Sequence, residues 1–346
     1  MNLPNKINAD SIRKTGISVV VPAYNAASWL PKTVPKINES LLTAKVKNAE
    51  IIIVDDGSTD NSSLIAKKIK LSYPVIVLKQ KNQGRFHARK TGISKAKYEH
   101  ILLIDTRVFI DKYSLQHVLE TMEQNSAKVV WNAHVNVDKK GNVFARFWDA
   151  IVQIAWRKYF SNPREISYGL KEFDYYPKGT TCFFAPKDVL LDAITEFERY
   201  SKVDKTSNDD TLMIRNIAKS HNINVSPVFS CLYHARTDIK QFIKHSFHRG
   251  QVFVDGFLHP GNRYYLPLIL FLILSFTSLI LIILKPELRL LFFILFLALW
   301  VSELGIALIS RIDKKDALSL WILSPLFVMS YGLGIWLATL RRKSYK

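Results

Sequence analysis

The chain has 346 residues, room for one large or two modest domains. It carries 48 basic and 29 acidic residues, a net charge of +19, and 39 of the basic residues precede Leu266. That excess favours anionic partners such as lipid headgroups or nucleotide diphosphates; with no DNA- or RNA-binding signature present, no nucleic-acid partner is expected.

Met1 to Lys14 has no apolar run, so no signal peptide is expected, and residues 1–15 read as a short solvated arm. Two cysteines, Cys182 and Cys231, are too few for a disulfide framework and fit a reducing compartment. Ile17 to Val21 is an apolar strand closed by Pro22-Ala23-Tyr24-Asn25, and a helix is predicted from Ser28. Ile51 to Val54 is a second apolar strand running into Asp55-Asp56-Gly57-Ser58-Thr59-Asp60. Its composition predicts a buried parallel strand, with Ser58, Thr59 or Asp60 capping the next helix. Ligands of open α/β sheets bind at the carboxyl ends of strands, and two adjacent acids there are costly unless they bind something. A capping turn would need only one of them.

Val75 to Leu78 and Ile101 to Ile104 read as further strands, the latter ending at Asp105. Gly84 to Ala96 and Ser114 to Asn125 read as helices, and Lys128 to Val137 as a returning strand. This is the alternating pattern of a doubly wound sheet. Val143 to Phe160 is amphipathic and aromatic, either packed on a core or lying at an interface. A strand is predicted over Val228 to Tyr233, just before His234.

Leu266 to Leu284 has no charge and would span roughly 28 Å as a helix, close to a bilayer's apolar thickness. Leu290 to Ser310 is a second apolar segment, interrupted only by Glu303, and Ala317 to Leu340 is a third. Glu303 either faces a path for lipid phosphate or packs on a polar neighbour. An integral membrane protein with its polar domain on the cytoplasmic face is expected. Three full crossings would then put Arg341 to Lys346 outside, against the positive-inside tendency. Either the tail departs from that tendency, or the third segment, with Pro325, Gly332 and Gly334, is broken and re-entrant.

The turns Pro22-Ala23-Tyr24-Asn25 and Val54-Asp55-Asp56-Gly57-Ser58-Thr59-Asp60 resemble the P-x-Y-N and V-D-D-G-S-x-D patterns of family 2 glycosyltransferases of the GT-A fold. Asn82-Gln83-Gly84, Ala88-Arg89 and Gly92 are similar to that family's N-x-G-x-x-x-A-R-N-x-G segment, with Lys90 in place of Asn. The resemblance covers residues 17–250 and implies a GT-A domain over 16–262, with a donor half at 16–137 and an acceptor half at 138–262, followed by a membrane region at 263–346. It implies a nucleotide-diphospho-sugar donor and a membrane lipid or lipid-linked acceptor. Pro22, Ala23, Tyr24 and Asn25 would shape the nucleotide pocket, Asp55 and Asp56 would bind base or ribose, and Asn82 and Gly84 belong to the same donor segment. Asp105 would bind ribose or metal, and Arg89 and Arg107 would meet phosphate charge.

The family usually has D-x-D where this chain has Asp105-Thr106-Arg107, which is similar to its D-x-R variants. A divalent cation, Mg or Mn, needs oxygen ligands that Arg does not supply. Either Arg107 itself offsets diphosphate charge, or a metal is held through Asp105, the diphosphate and His234. The bland reading pairs Arg107 with Asp111 at the surface. Asn208-Asp209-Asp210-Thr211-Leu212-Met213-Ile214-Arg215 resembles the family's E-D-x-x-L-x-x-R segment, with Asn208 at the glutamate position. The resemblance makes Asp209 and Asp210 the catalytic acids, with Asp209 the base and Asp210 raising its proton affinity from the next position; the alternative is N-capping of a helix over Thr211 to Lys219. Phe242 to Gly250 resembles a basic, aromatic segment of related membrane enzymes, in which His248 or Arg249 would contact diphosphate or gate the acceptor. A basic juxtamembrane stretch held by anionic lipid headgroups is the other reading of it. Gly179-Thr180-Thr181-Cys182 stands where the family often has a small-residue loop near the acceptor. A polyprenyl-phosphate monosaccharide synthase and a non-catalytic donor-binding subunit remain alternatives to hydroxyl transfer.

Overall fold

The computed structural model describes residues 9–200, 209–258, 260, 262, 264–309 and 312–341. It comprises two compact units, one of Met1–Asp138, Lys158–Lys205 and Asp209–His234, the other of Lys139–Arg157, Thr206–Asn208 and Ala235–Lys346.

The first unit opens with helix α1 (Ala9–Thr15), strand β1 (Ile17–Ala23), α2 (Leu30–Thr43), β2 (Ala49–Asp56), α3 (Ser62–Lys68), β3 (Val75–Gln80), α4 (Arg85–Lys95) and β4 (His100–Ile104). Every residue of β1, β2 and β4 is buried, as their Val-, Ile- and Leu-rich runs predict for strands covered on both faces. Next come β5 (Val108–Ile110), α5 (Ser114–Gln124), β6 (Val130–Asn132) and β7 (His134–Val137). The chain passes through α6 (Val143–Ala155) in the second unit and returns by α7 (Arg157–Phe160), β8 (Ile166–Tyr168), β9 (Cys182–Pro186), α8 (Lys187–Tyr200), α9 (Asp209–Ile217), β10 (Ile223–Val225) and β11 (Ser230–Tyr233).

Eight strands form one mixed sheet in the order β3-β2-β1-β4-β9-β6-β10-β8, and β5-β11-β7 form a second sheet. Strands β3, β2, β1 and β4 are mutually parallel, so their carboxyl ends share one edge. Strand β9 runs antiparallel between β4 and β6. Two expectations need correction. The arm is not solvated throughout: Ile12 of α1 is buried in the main core, and Arg13 binds Ala44 O and Glu123. The single strand expected over Lys128 to Val137 is two strands, β6 in the large sheet and β7 in the small one.

The second unit is helical: α6, α10 (Ile239–Phe257), α11 (Tyr265–Leu284), α12 (Arg289–Ile309) and α13 (Lys314–Arg341). Three of its helical segments, Tyr265–Leu284, Pro286–Ile309 and Lys314–Arg341, are long and apolar enough to cross a membrane. The apolar stripe of α6 packs on α10 and α13 through Phe147, Ala150, Phe242, Leu320 and Leu323. Fully buried Asp316, at the start of α13, accepts from Lys139 Nζ and from Arg146 Nη1 at 2.7 Å each, and Lys139 also reaches Asp149 at 2.8 Å. Helices α10 and α13 touch backbone to backbone. A Cβ on Gly250 would lie 2.1 Å from Tyr331 O, and one on Gly334 2.1 Å from Phe247 O. Of the two alternatives for the third apolar segment, the broken one is not seen: α13 runs unbroken through Pro325, and its Gly334 serves helix contact. Glu303 packs on a polar neighbour, Ser324.

Candidate active site

The carboxyl edge of β2-β1-β4 gathers most of the residues singled out in the donor half. Asp55 ends opposite Ala23 in the β1–β2 register. Its Oδ1 accepts from Ser58 N at 2.9 Å. Gly57 turns the chain at φ 72°, and a Cβ there would lie 2.7 Å from Asn82 N, so the turn requires glycine. Asn25 adopts φ 49°, a left-handed conformation that asparagine tolerates better than most residues. Its N–H donates to Ser58 Oγ at 3.0 Å, and its Oδ1 accepts from Thr59 N at 2.9 Å. The two turns are thus stitched into one surface. Pro22 and Ala23 are buried within β1, while Tyr24 is 52% exposed at this edge.

The paired acids divide their work. Asp56 Oδ1 accepts from Gln80 Nε2 at 2.8 Å and Gln83 N at 2.9 Å, and its Oδ2 accepts from Gly84 N at 2.8 Å. Asp56 thus organises the segment holding Asn82 and Gly84 and the start of α4. Asp56→Ala is expected to lower stability by about 2–4 kcal/mol by orphaning these donors. Asp55→Ala should cost about 1 kcal/mol, since Oδ1 accepts one backbone bond. Denaturant unfolding of the two purified variants tests this order.

Asp105 follows β4, and its N–H donates to Thr181 O at 3.0 Å, which sets the Gly179 to Cys182 loop beside it. Arg89, only 3% exposed, donates from Nη2 to Asp105 Oδ1 at 2.8 Å. The guanidinium expected to meet phosphate charge is buried against Asp105. Arg85, in the first turn of α4 and half exposed, lies 4.0 Å from Asp105 Oδ2 and is the cation at that end. Sequence reading missed it, because the family pattern leaves that position unspecified.

Arg107 stacks its guanidinium over Trp29, 4.8 Å from the ring centroid, and its carbonyl accepts from His234 N at 2.9 Å. The bland pairing with Asp111 gives way to this stacking; Asp111 Oδ1 accepts from Tyr113 N at 2.8 Å. His234 packs on Phe109 and Trp29 with centroids 4.3 and 5.3 Å away, and its Nδ1 lies 3.0 Å from Asp138 Oδ2. Trp29 and Asp138 carried no signal in the sequence.

The donor set does not fit a protein-held divalent cation. Asp105 faces two guanidiniums and Arg107 supplies no ligand; His234 Nδ1 is engaged by Asp138, and its buried Nε2, which has no hydrogen-bond partner among the described residues, would be a single ligand with no second one grouped beside it there. Among the described residues no three His, Cys, Asp or Glu side chains are grouped to hold a metal.

On the acceptor half, α9 begins at Asp209, two residues earlier than expected, so Asp209 and Asp210 occupy its first turn. Their side chains, and all of Asn208, lie outside the described residues. Arg215 of α9 donates to Asp174 Oδ1 at 2.7 Å and lies over the Phe173 ring. Cys182 and Cys231 are buried and free, and a mutual hydrogen bond and burial push the Cys182 thiol well up. His248 and Arg249 lie on α10 in the second unit, with Arg249 over Trp148 at 5.5 Å.

Residues 18–188 match the model of Glycosyl transferase family 2. Glycosyltransferase GlyG of Streptococcus pneumoniae is 36% identical over 37% of this chain and 42% of its own length. Poly-beta-1,6-N-acetyl-D-glucosamine synthase of Staphylococcus aureus is 24% identical over 42% of this chain and 34% of its own length. The matched segments thus span less than half of these relatives. Among solved structures, residues 1–349 of S. aureus TarS in complex with UDP-GlcNAc superpose with a TM-score of 0.52 at 16% identity, covering 93% of this chain and 89% of that one. This likeness concerns the fold.

Proposed function

We propose, from the match of residues 18–188 to the Glycosyl transferase family 2 model, that this chain is an inverting transferase of that family anchored at a membrane. It moves a sugar from a nucleotide-diphosphate donor to a hydroxyl of a membrane-associated, lipid-linked glycan acceptor, working on the cytoplasmic face. The observation that carries this reading is the shared strand edge. Asp55 and Asp105 end the two strands flanking β1, beside exposed Tyr24 and half-exposed Arg85.

Tyr24 offers a ring on which a base can stack, and the free Asp55 oxygen accepts from ribose or base. Asp209 takes the proton of the acceptor hydroxyl as that oxygen attacks the anomeric carbon from the face opposite the donor diphosphate. The bond from that carbon to the diphosphate oxygen breaks, and the diphosphate leaves with its electron pair. Arg107 and Arg85 balance the charge that develops there, with Trp29 holding the Arg107 plane. Arg107 thus replaces a divalent cation in this proposal.

A thermal-shift screen of nucleotide sugars tests it, starting with UDP-GlcNAc because the TarS structure contains it. A donor at about 100 times its Kd should raise Tm by about 2–4 °C. The shift should be unchanged when EDTA replaces manganese. A shift that vanishes in EDTA overturns the assignment to Arg107, and no shift across uridine, guanosine, cytidine and thymidine donors overturns donor binding.

A further inference from the structure

Helix α13 differs from the other two apolar helices of its unit. Its apolar window is 44% buried, against 11% for α11 and 6% for that of α12. Leu318, Ile322, Met329, Leu333 and Leu340 are exposed and recur at intervals of four and seven residues, a single stripe along one side. The opposite side carries buried Asp316, Ser319, Ser330 and Gly334 and packs on α6 and α10, while buried Ser324 bonds Glu303 of α12. A helix surrounded by hydrocarbon is apolar all round, whereas a two-sided helix suits an interface.

The helices that accompany α13 are charged. Helix α10 touches it from Phe242, packed in the cluster with Leu320, to Val254, packed with Ile335, and it carries Lys240, Lys244, His245, His248 and Arg249. If α13 stood upright across the bilayer, α10 would stand in hydrocarbon beside it with all five. Ionisable side chains at that depth are costly.

The contacts with α11 and α12 point the same way. Trp321 stacks on Trp300 at 4.8 Å, and each indole N–H donates to the other residue's carbonyl. Trp336 Nε1 donates to Ser275 Oγ at 3.1 Å. Trp300 and Ser275 lie near the midpoints of α12 and α11. Two helices crossing the same bilayer have their midpoints at similar depth. An upright helix passes a given depth once, yet α13 meets both midpoints at positions roughly 22 Å apart along its axis.

We infer that α13 lies along the membrane surface, its exposed stripe on the lipid leaflet and its other side on α6 and α10, so that only α11 and α12 cross. The C-terminal end of α13 then stays on the face that carries α10. This removes the conflict with the positive-inside tendency, because Arg341, Arg342, Lys343 and Lys346 no longer cross.

The two native cysteines are buried, so single engineered cysteines report cleanly. Glu287→Cys (between α11 and α12), Ser344→Cys and Lys70→Cys (an exposed position in the strand-bearing unit) would be labelled in intact cells with a membrane-impermeant maleimide, then again after permeabilisation. The expected result is labelling of Glu287→Cys in intact cells, and of Ser344→Cys and Lys70→Cys only after permeabilisation. Labelling of Ser344→Cys in intact cells together with Glu287→Cys protection overturns the orientation, and its labelling while Lys70→Cys stays protected shows that α13 crosses. Fusing green fluorescent protein or alkaline phosphatase after Lys346 gives an independent readout. Fluorescence without phosphatase activity supports the inference, and the reverse overturns it. Neither assay depends on catalysis, so a failed donor screen leaves this result standing.

Discussion

Asp209→Asn is expected to lower hydroxyl transfer by about 10²- to 10⁴-fold in kcat, with donor affinity unchanged. Asparagine keeps the shape and can still sit in the first turn of α9, but it cannot take a proton. Losing a negative charge in that first turn should cost only about 0.3–1 kcal/mol through the helix dipole. Stability and turnover therefore separate: a small change in unfolding midpoint accompanies a large change in rate. Asp210→Asn makes the control, with the same dipole effect and most of the activity kept. The measurement is labelled-sugar transfer under saturating donor, beside donor titration. Near-normal turnover by Asp209→Asn would exclude it as base and favour transfer to an already ionised acceptor, such as a polyprenyl phosphate.

The donor half was legible because its chemistry sits at the ends of buried strands. Runs such as Ile51 to Val54 have no other stable place than a covered parallel sheet, and the acids after them mark its carboxyl edge. Sequence could not divide Asp55 from Asp56. Which of them points into the edge is decided by Gln80, Gln83 and Gly84, more than twenty residues away. Likewise Arg89 matched a motif, yet its role follows from burial against Asp105, which only tertiary packing creates. The small sheet was legible only in part. Strand β11 falls within the strand expected over Val228 to Tyr233 and β7 within that over Lys128 to Val137, but β5 is three residues long, too short for periodicity to register, and the pairing of the three into a sheet of their own is tertiary. The third apolar segment was recognised by composition but not by placement. Counting apolar residues does not reveal that Gly334 of α13 lies against the backbone of α10 or that Asp316 is buried against Lys139 and Arg146.

Arg89→Met should destabilise the protein by about 3 kcal/mol, because it removes the buried partner of an ion pair and leaves partly buried Asp105 with only half-exposed Arg85, 4.0 Å away, as its cation. Arg89→Lys should recover part of this loss, since a lysine keeps the charge but not the planar fork. The double variant Arg89→Met with Asp105→Asn should be more stable than Arg89→Met alone, as removing both charges is far less costly than removing one. That cycle, measured by denaturant unfolding, separates two roles for Asp105. If Asp105 acts only as a structural partner of Arg89, the double variant should also bind donor. Under the proposed function it should fold and fail to bind, because the acid at the end of β4 is then missing from the strand edge it shares with Asp55. Donor-dependent thermal shift on the refolded double variant reads the difference. A full shift would take Asp105 out of the donor site and leave Asp55, Tyr24 and the exposed arginines to carry it.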